Sequence, residues 1–306
     1  MSKNILITGG SGLIGSKLTQ LLQTSGFQVG HLSRSPRSNR TNSFLWDTKK
    51  GFIDASALRG VEAIVHLAGT NVGEKRWTKQ RKEEILKSRL ESTALLYDEL
   101  KKGDHQVATF VSASATGFYG FDDEEHYYTE DDKKGEGFQA DVVGRWEQAV
   151  DRIATLGIRV VKIRGGVVLS EKGGALKEMM LPIKLYVGSP LGTGEQTISW
   201  IHIEDLCRIF IMAIEHENMQ GVYNAVAPNP ATNKQFTYAV AKALERPVWL
   251  PRIPGFVLNI IFGELAEVVL KGSKVSARKI QSSGFKFKFA NLEEALSDLL
   301  RAQRVV

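Results

Sequence analysis

The stretch Thr8-Gly9-Gly10-Ser11-Gly12-Leu13-Ile14-Gly15 follows the apolar run Asn4-Ile5-Leu6-Ile7 without a gap and opens an amphipathic segment from Leu13 to Thr24. Glycines spaced in this way, between a buried strand and a helix, form the turn of a βαβ unit that cradles a dinucleotide. Gly9 permits the tight turn, Gly12 lets the backbone approach a pyrophosphate, and Gly15 lets the helix pack close to the strand. The helix start, with Gly10, Ser11, Leu13 and Ile14 among the cofactor-binding residues, then offers unpaired N–H groups and a positive dipole end to the phosphates. The main competing account is a glycine-rich turn with a purely structural role.

The rest of the first half keeps the same rhythm. Strands are expected at 4–8, 27–32, 62–67, 107–113 and 158–164, with a short edge strand at Phe44 to Trp46. Helices are expected at 13–25, 78–102 and 138–156. Alternation of this kind predicts an α/β fold, a Rossmann-type doubly wound parallel sheet with helices on both faces. From Gly165 the pattern becomes glycine-punctuated, with one helix near 175–187. Regular elements return as a helix at 204–216, a strand at 222–225 and helices at 234–244 and 256–270; Asn291 caps a last helix reaching about Arg301. The expected division is a dinucleotide-binding domain over 1–170, to which 200–226 returns, and a smaller C-terminal substrate-side lobe built from 171–199 and 227–306.

Composition narrows the function. No run approaches the ~18 apolar residues of a membrane span, and Met1-Ser2-Lys3 leads straight into the first strand, so a cytoplasmic protein without a targeting segment is expected. Cys207 is the only cysteine and the six histidines are scattered, so neither a disulfide nor a metal site is expected. A formal charge of +6 raises the question of nucleic acid. The basic residues are interleaved with acids, as between Lys79 and Glu84, and the acidic run of Asp122 to Glu125 with Glu130 to Asp132 would repel a phosphate backbone. A small anionic ligand fits this charge better, and a monomer or homodimer is expected.

The end of the second strand indicates which dinucleotide. An acid at that place binds the ribose hydroxyls of NAD; here the strand ends in Ser33-Arg34, with Arg37 and Arg40 beyond. A hydroxyl and a guanidinium suit a 2′-phosphate, so NADP is expected over NAD. The alternative for Arg34 is an ordinary solvated loop residue.

The segments ITGGSGLIG (7–15), HLSRSP (31–36), HLAGTN (66–71), SRLESTALL (88–96), SASATGFYG (112–120) and SWIHIEDL (199–206) together resemble the atypical extended short-chain dehydrogenase/reductases. The tail, with YNAVAPNPATNKQF (223–236), RPVWLP (246–251), FGELAEVVLKGSKV (262–275) and GFKFKF (284–289), is similar to the epimerase-family or SulA-like branch, which carries a characteristic C-terminal domain. The resemblance runs collinearly over the whole chain. It implies that Ser33 and Arg34 hold the 2′-phosphate and that Leu67, Ala68 and Gly69 line the adenosine–ribose cleft. It further implies cofactor contacts from Glu84 and Arg89 on the long helix, from Ser112, and from Val168 near the nicotinamide carboxamide. Without it, Glu84 and Arg89 read as a solvated helical pair.

Reductases of this class pair a Tyr with a Lys four residues later, preceded by a Ser at the end of the fifth strand. Ser114 occupies the serine region, either to polarise substrate or as a polar strand-end residue satisfied locally. With Glu147 taken as the glutamate that follows the pair, the lysine position is Val143 and the tyrosine position Gln139. Neither can move a proton. Tyr97…Lys101 and Tyr238…Lys242 match the spacing but lie on the wrong helices. Tyr119 is a candidate acid or a pocket-shaping residue; His202 and Asp205 are a further candidate pair, or a local packing residue and a helix-start residue. Leu191 to Gln196 is expected to form a flexible rim over the cleft. The expected function is an NADP-binding oxidoreductase or epimerase-like protein acting on an unknown small molecule. The alternative is a non-catalytic NADP(H)-binding sensor or scaffold.

Overall fold

The structure is a computed structural model that describes residues 3–35, 42–121 and 126–301. Arg37, Arg40 and the acidic run Asp122 to Glu125 lie outside the described residues. The first βαβ unit comprises β1 (Asn4–Thr8), α1 (Leu13–Thr24) and β2 (Gln28–Ser33); β3 (Asn42–Asp47) and the short β4 (Phe52–Ile53) complete that side. The other side is β5 (Ala63–His66), α2 (Lys79–Lys101), β6 (Thr109–Ala115), the short β7 (Tyr127–Tyr128), α3 (Phe138–Ala154) and β8 (Arg159–Gly165). There follow β9 (Val167–Leu169), α4 (Ala175–Lys184), β10 (Thr197–Ile198), β11 (Trp200–His202), α5 (Ile203–Glu215) and β12 (Gly221–Ala225).

The main sheet has eight strands in the order β12-β8-β6-β5-β1-β2-β3-β4. Every pairing in it is parallel except the β3–β4 hairpin, which forms where the sequence predicted only a short edge strand. The strands grow outward in both directions from β1 and β5. Their boundary is therefore a topological switch point, and ligands of such sheets bind outside the carboxyl ends of the strands there. The central strands are buried on both faces: β5 has four consecutive buried residues, Ala63 to His66, and β6 five of seven. That explains why they read as apolar runs without alternation.

The remainder comprises β13 (Ala231–Thr232), α6 (Asn233–Ala243), α7 (Gly255–Phe262), α8 (Ala266–Leu270), β14 (Lys274–Val275), α9 (Arg278–Ser282) and α10 (Leu292–Leu300). Two-stranded ladders tie this region to the rest, β10 pairing with β13 and β14 with β7, while β11 pairs with β9. Its core is continuous with that of the sheet, since Ile5, Trp200, Phe236 and Leu296 belong to one buried cluster. Thr232 closes a reciprocal capping box with Gln235 at the start of α6, and Asn291 caps α10. The single helix expected over 256–270 is two helices joined by a 3₁₀ turn. Gly263 takes φ +60°, a conformation an α-helix cannot continue through. No helix among the described residues is long and apolar enough to cross a membrane.

Candidate functional site: a dinucleotide cradle

The glycine loop connects β1 to α1 at the switch point, and each glycine has a steric reason. Gly9 lies at φ +70°, where an added Cβ would sit 3.0 Å from the carbonyl carbon of Leu67. A Cβ on Gly10 would lie 2.6 Å from the His31 ring, and one on Gly15 only 2.4 Å from the Gly9 carbonyl oxygen. At Gly12 the nearest atom would be 3.2 Å away, also the Gly9 oxygen. Gly12 is the N-cap of α1, extended at φ −75° and ψ 177°, with no capping side chain and no acidic residue in the first turn. Ser11 and Gly12 are exposed, and Leu13 and Ile14 half-buried. The helix start is thus left bare and positive beside an exposed backbone, which fits a pyrophosphate.

The floor of this cradle rests on a buried polar chain that the sequence reading missed. Thr8 Oγ1 accepts hydrogen bonds from the backbone N–H of Leu67 and of Ala68, both at 3.1 Å. Its own proton therefore goes to His66 Nδ1, 2.8 Å away. This assigns the imidazole proton to Nε2, which faces Thr93 Oγ1 at 3.2 Å and Ser92 Oγ at 3.4 Å. Those two hydroxyls donate in turn to the carbonyl of Arg89. Burial, with a smaller contribution from the Arg89 charge, pushes the His66 pKa down to about 3. The signal was present as Thr8 before the loop and His66 at the end of a strand, but the pairing is one across strands.

Arg89 lies under the loop that follows β5. Its Nη1 donates to the carbonyls of Thr70 and Ile85, and its guanidinium stacks 5.0 Å from the Trp146 ring. Burial lowers its pKa to about 10. A Cβ on Gly69 would touch its Cζ at 3.3 Å, so Gly69 and Arg89 are brought together. Glu84 is exposed and engaged by Arg81, which also bonds Glu74 and the carbonyl of Asn71. Ser112 is wholly buried, and its hydroxyl donates to the carbonyl of Ala113. Val168, on β9, is brought toward Leu13 by the turn at Gly174, where a Cβ would lie 3.4 Å from Leu13 Cδ2 and 3.7 Å from the Val168 oxygen. At the end of β2, Ser33 Oγ accepts from the N–H of Ser35, while Arg34 is exposed and forms no ion pair with the described residues.

The polar cluster at the carboxyl ends of β6 and β8 has a different character. Ser114, at the carboxyl end of β6, donates its hydroxyl proton to Glu147 Oε1 at 2.6 Å. Glu147, on α3, also receives Arg164 Nε at 2.8 Å and Nη2 at 2.7 Å, a bidentate buried pair. Burial works against the Arg164 charge, but the bonds to Glu147 outweigh it and its pKa is raised. Arg164 Nη1 then donates to Tyr119 Oη at 3.0 Å, and Tyr119 donates to Asn224 Oδ1 at 2.7 Å. Tyr119 is wholly buried, and burial raises its pKa to about 12. Its hydroxyl is committed inside the core to Asn224 and Arg164.

Gln139 and Val143, which the spacing sets at the tyrosine and lysine positions, both lie on α3. Gln139 lies beside the turn after β6, its Oε1 2.5 Å from where a Cβ of Gly117 would be, and Val143 is buried. Tyr97 on α2 packs against Arg152, and Tyr238 on α6 is exposed. His202 caps α5 by accepting the Glu204 N–H, with Asp298 3.3 Å from its Nε2. Asp205 is wholly buried and accepts the N–H groups of Lys288 and Phe289. The 191–196 segment, expected as a flexible rim, is instead tied down. Gly192 N–H bonds the Ile253 carbonyl, and Gln196 bridges the carbonyls of Leu191 and Val269.

Comparison with known proteins agrees with this geometry. Residues 5–225 match the model of the NAD dependent epimerase/dehydratase family, and residues 253–299 match a domain of unknown function (DUF1731). The chain is 36% identical over 302 residues to the epimerase family protein SAR0825 of Staphylococcus aureus, covering 97% of this chain and 99% of that one. It is 35% identical to the epimerase family protein YfhF of Bacillus subtilis, covering 99% and 100%. The crystal structure of human epimerase family protein SDR39U1 with NADPH superposes with a TM-score of 0.86 at 34% identity, covering 97% and 99%. A bare helix start, a loop whose glycines leave little room for a side chain and a match over the whole βα core lead to one assignment: this chain belongs to the NAD dependent epimerase/dehydratase family.

Proposed function

We propose that this protein binds NADP(H) in preference to NAD(H) and acts as an oxidoreductase or epimerase-like enzyme of the extended short-chain reductase class on a small molecule. The observation that carries the cofactor choice is the pair Ser33-Arg34 at the carboxyl end of β2, beside the glycine cradle, where an acid would select NAD. The NADPH held by the human relative supports the same reading. When bound, the nicotinamide would supply the hydride acceptor or donor. This chain's own contribution is to hold the pyrophosphate at Gly9 to Gly15, to hold the 2′-phosphate with Ser33 and Arg34, and to line the cleft with Leu67 to Gly69, Arg89 and Val168. Ser114 is the polar group at the reaction side, and Tyr119 braces the wall behind it.

A second reading, a cofactor-binding sensor or scaffold, is favoured by Gln139 and Val143 standing where the proton-moving pair would be. Fluorescence titration tests the cofactor assignment. NADPH should bind more tightly than NADH, and Arg34→Asp should reverse the order; equal affinities would sink the assignment. A panel of dicarbonyls and nucleotide sugars scanned for NADPH oxidation separates the two readings. Turnover abolished by Ser114→Ala defeats the sensor, whereas absence of turnover across the panel favours it.

A further inference from the structure

Ser114 has one proton to give, and it is already given. Glu147 Oε1 is a carboxylate acceptor that also takes Arg164 Nε, so the 2.6 Å contact from Ser114 runs in one direction only. With that proton committed, Ser114 Oγ has only lone pairs left to offer a ligand at the carboxyl end of β6. Gln139, 25 residues on and half-buried on α3, sets its side chain against Gly117, three residues beyond Ser114, and no side-chain hydrogen bond of it is formed among the described residues. Its carboxamide reaches the turn after β6 only because Gly117 has no side chain to block it. A primary amide both donates and accepts, but does not titrate.

Resting on the cofactor reading above, we propose that Ser114 and Gln139 form a neutral pair selecting ligands at the alcohol level: a hydroxyl that donates to Ser114 Oγ and is also held by the Gln139 amide. A ligand carbonyl meets the lone pairs of Ser114 instead. To donate to it, Ser114 must release a charge-assisted bond to a buried carboxylate, a cost equivalent to roughly tenfold to a hundredfold in affinity. A reductase with a tyrosine at position 139 would have the opposite preference, since a phenol donates to the carbonyl oxygen.

The experiment uses the whole chain loaded with a tetrahydro-NADP analogue, which has no hydride to transfer, and three matched pairs: cyclohexanol and cyclohexanone, 2,3-butanediol and butanedione, glycerol and dihydroxyacetone. Ligand-observed NMR titration should show the alcohol of at least one pair bound about tenfold or more tightly than its ketone, and none with the reverse order. Ser114→Ala should remove that preference, and Gln139→Leu should weaken the alcohol while the protein keeps its cofactor. Equal or ketone-favouring binding, a preference that survives Ser114→Ala, or no alcohol binding at about 10 mM, a ceiling set by the weak affinity of such small ligands, each overturns the proposal. NADPH titration of the same samples makes the outcome separable. Normal NADPH binding with a failed alcohol preference refutes this pair alone, whereas loss of NADPH preference refutes the cofactor reading.

Discussion

His66 makes the stability of the fold sensitive to acid, and the size of the effect follows from its environment. In the unfolded chain its imidazole titrates near 6.5, whereas in the folded protein burial holds the pKa at about 3. The folded state thus binds the neutral form, so the stability it contributes is complete above pH 6.5 and falls as pH drops toward the folded value. Between about pH 7.5 and about pH 5 the unfolded state gains a proton that the folded state refuses, a loss of about 2 kcal/mol. His66→Asn keeps a polar atom near the position of Nδ1 but cannot titrate. It should be less stable than wild type at neutral pH, because the bond to Thr93 is lost, yet its stability should decline less on acidification.

The measurement is urea unfolding of both proteins at the two pH values, with the difference in pH dependence read as a double difference so that all other titrating groups cancel. Nitrogen-15 NMR of the imidazole checks the cause directly, since the ring should remain the neutral Nε2–H tautomer at pH 5. Parallel pH dependence in the two proteins, or an imidazolium signal at pH 5, would refute the argument. Because the folded ring stays neutral at pH 5, the link from His66 through Thr8 to the Leu67 and Ala68 amides persists, so His66 should leave NADPH binding by the folded protein unchanged at that pH.

Three further outcomes follow from other parts of the fold. Gly15→Ala places a Cβ 2.4 Å from a backbone oxygen that cannot swing aside, so calorimetry should show NADPH affinity down at least about tenfold and stability down by about 2 kcal/mol. Arg164→Met leaves Glu147 buried without its main partner, and denaturant titration should show a loss of about 3–5 kcal/mol, part of it recovered by adding Glu147→Leu. Gly263→Ala forces φ +60° on a residue with a Cβ, so the melting temperature should fall by an amount corresponding to about 1–3 kcal/mol; an unchanged melting temperature would mean that α7 and α8 can join into one helix.

What could be read from the sequence was what is local. The strand, loop and helix at 4–24 are contiguous, so their chemistry appears as a string of residues, and the observed bounds of β1 and α1 fall within a residue of the expected ones. The broken helix at 263 was lost because a glycine within an apolar run has two meanings, a tolerated interior residue or a stop, and only the backbone angle separates them. The tethering of 191–196 was missed for another reason. Glycine-rich composition reports what the backbone can do when free, while the acceptors that pin it, the Asn233 side chain and the carbonyls of Ile253 and Val269, come from elsewhere in the chain. The chain of Thr8, His66 and Thr93 was invisible on the same ground, since its members lie 27 and 58 residues apart.

The same distinction governs the reaction side. Counting along the chain sets Gln139 and Val143 against the pattern of the class, but counting cannot say what the remaining polar groups do without a Tyr–Lys pair. Packing answers that. Glu147 and Arg164 are each too buried to be left unpaired, so they pair; the pair then requires a donor, which Ser114 supplies, and an acceptor, which Tyr119 supplies while donating to Asn224. Each satisfied bond removes one group from the set able to exchange protons with a ligand. The cofactor cradle depends on backbone and steric fit and is indifferent to this loss. Chemistry by this chain would therefore have to draw its proton from the ligand or from solvent, because the side chains that usually supply it are either absent or already bonded within the core.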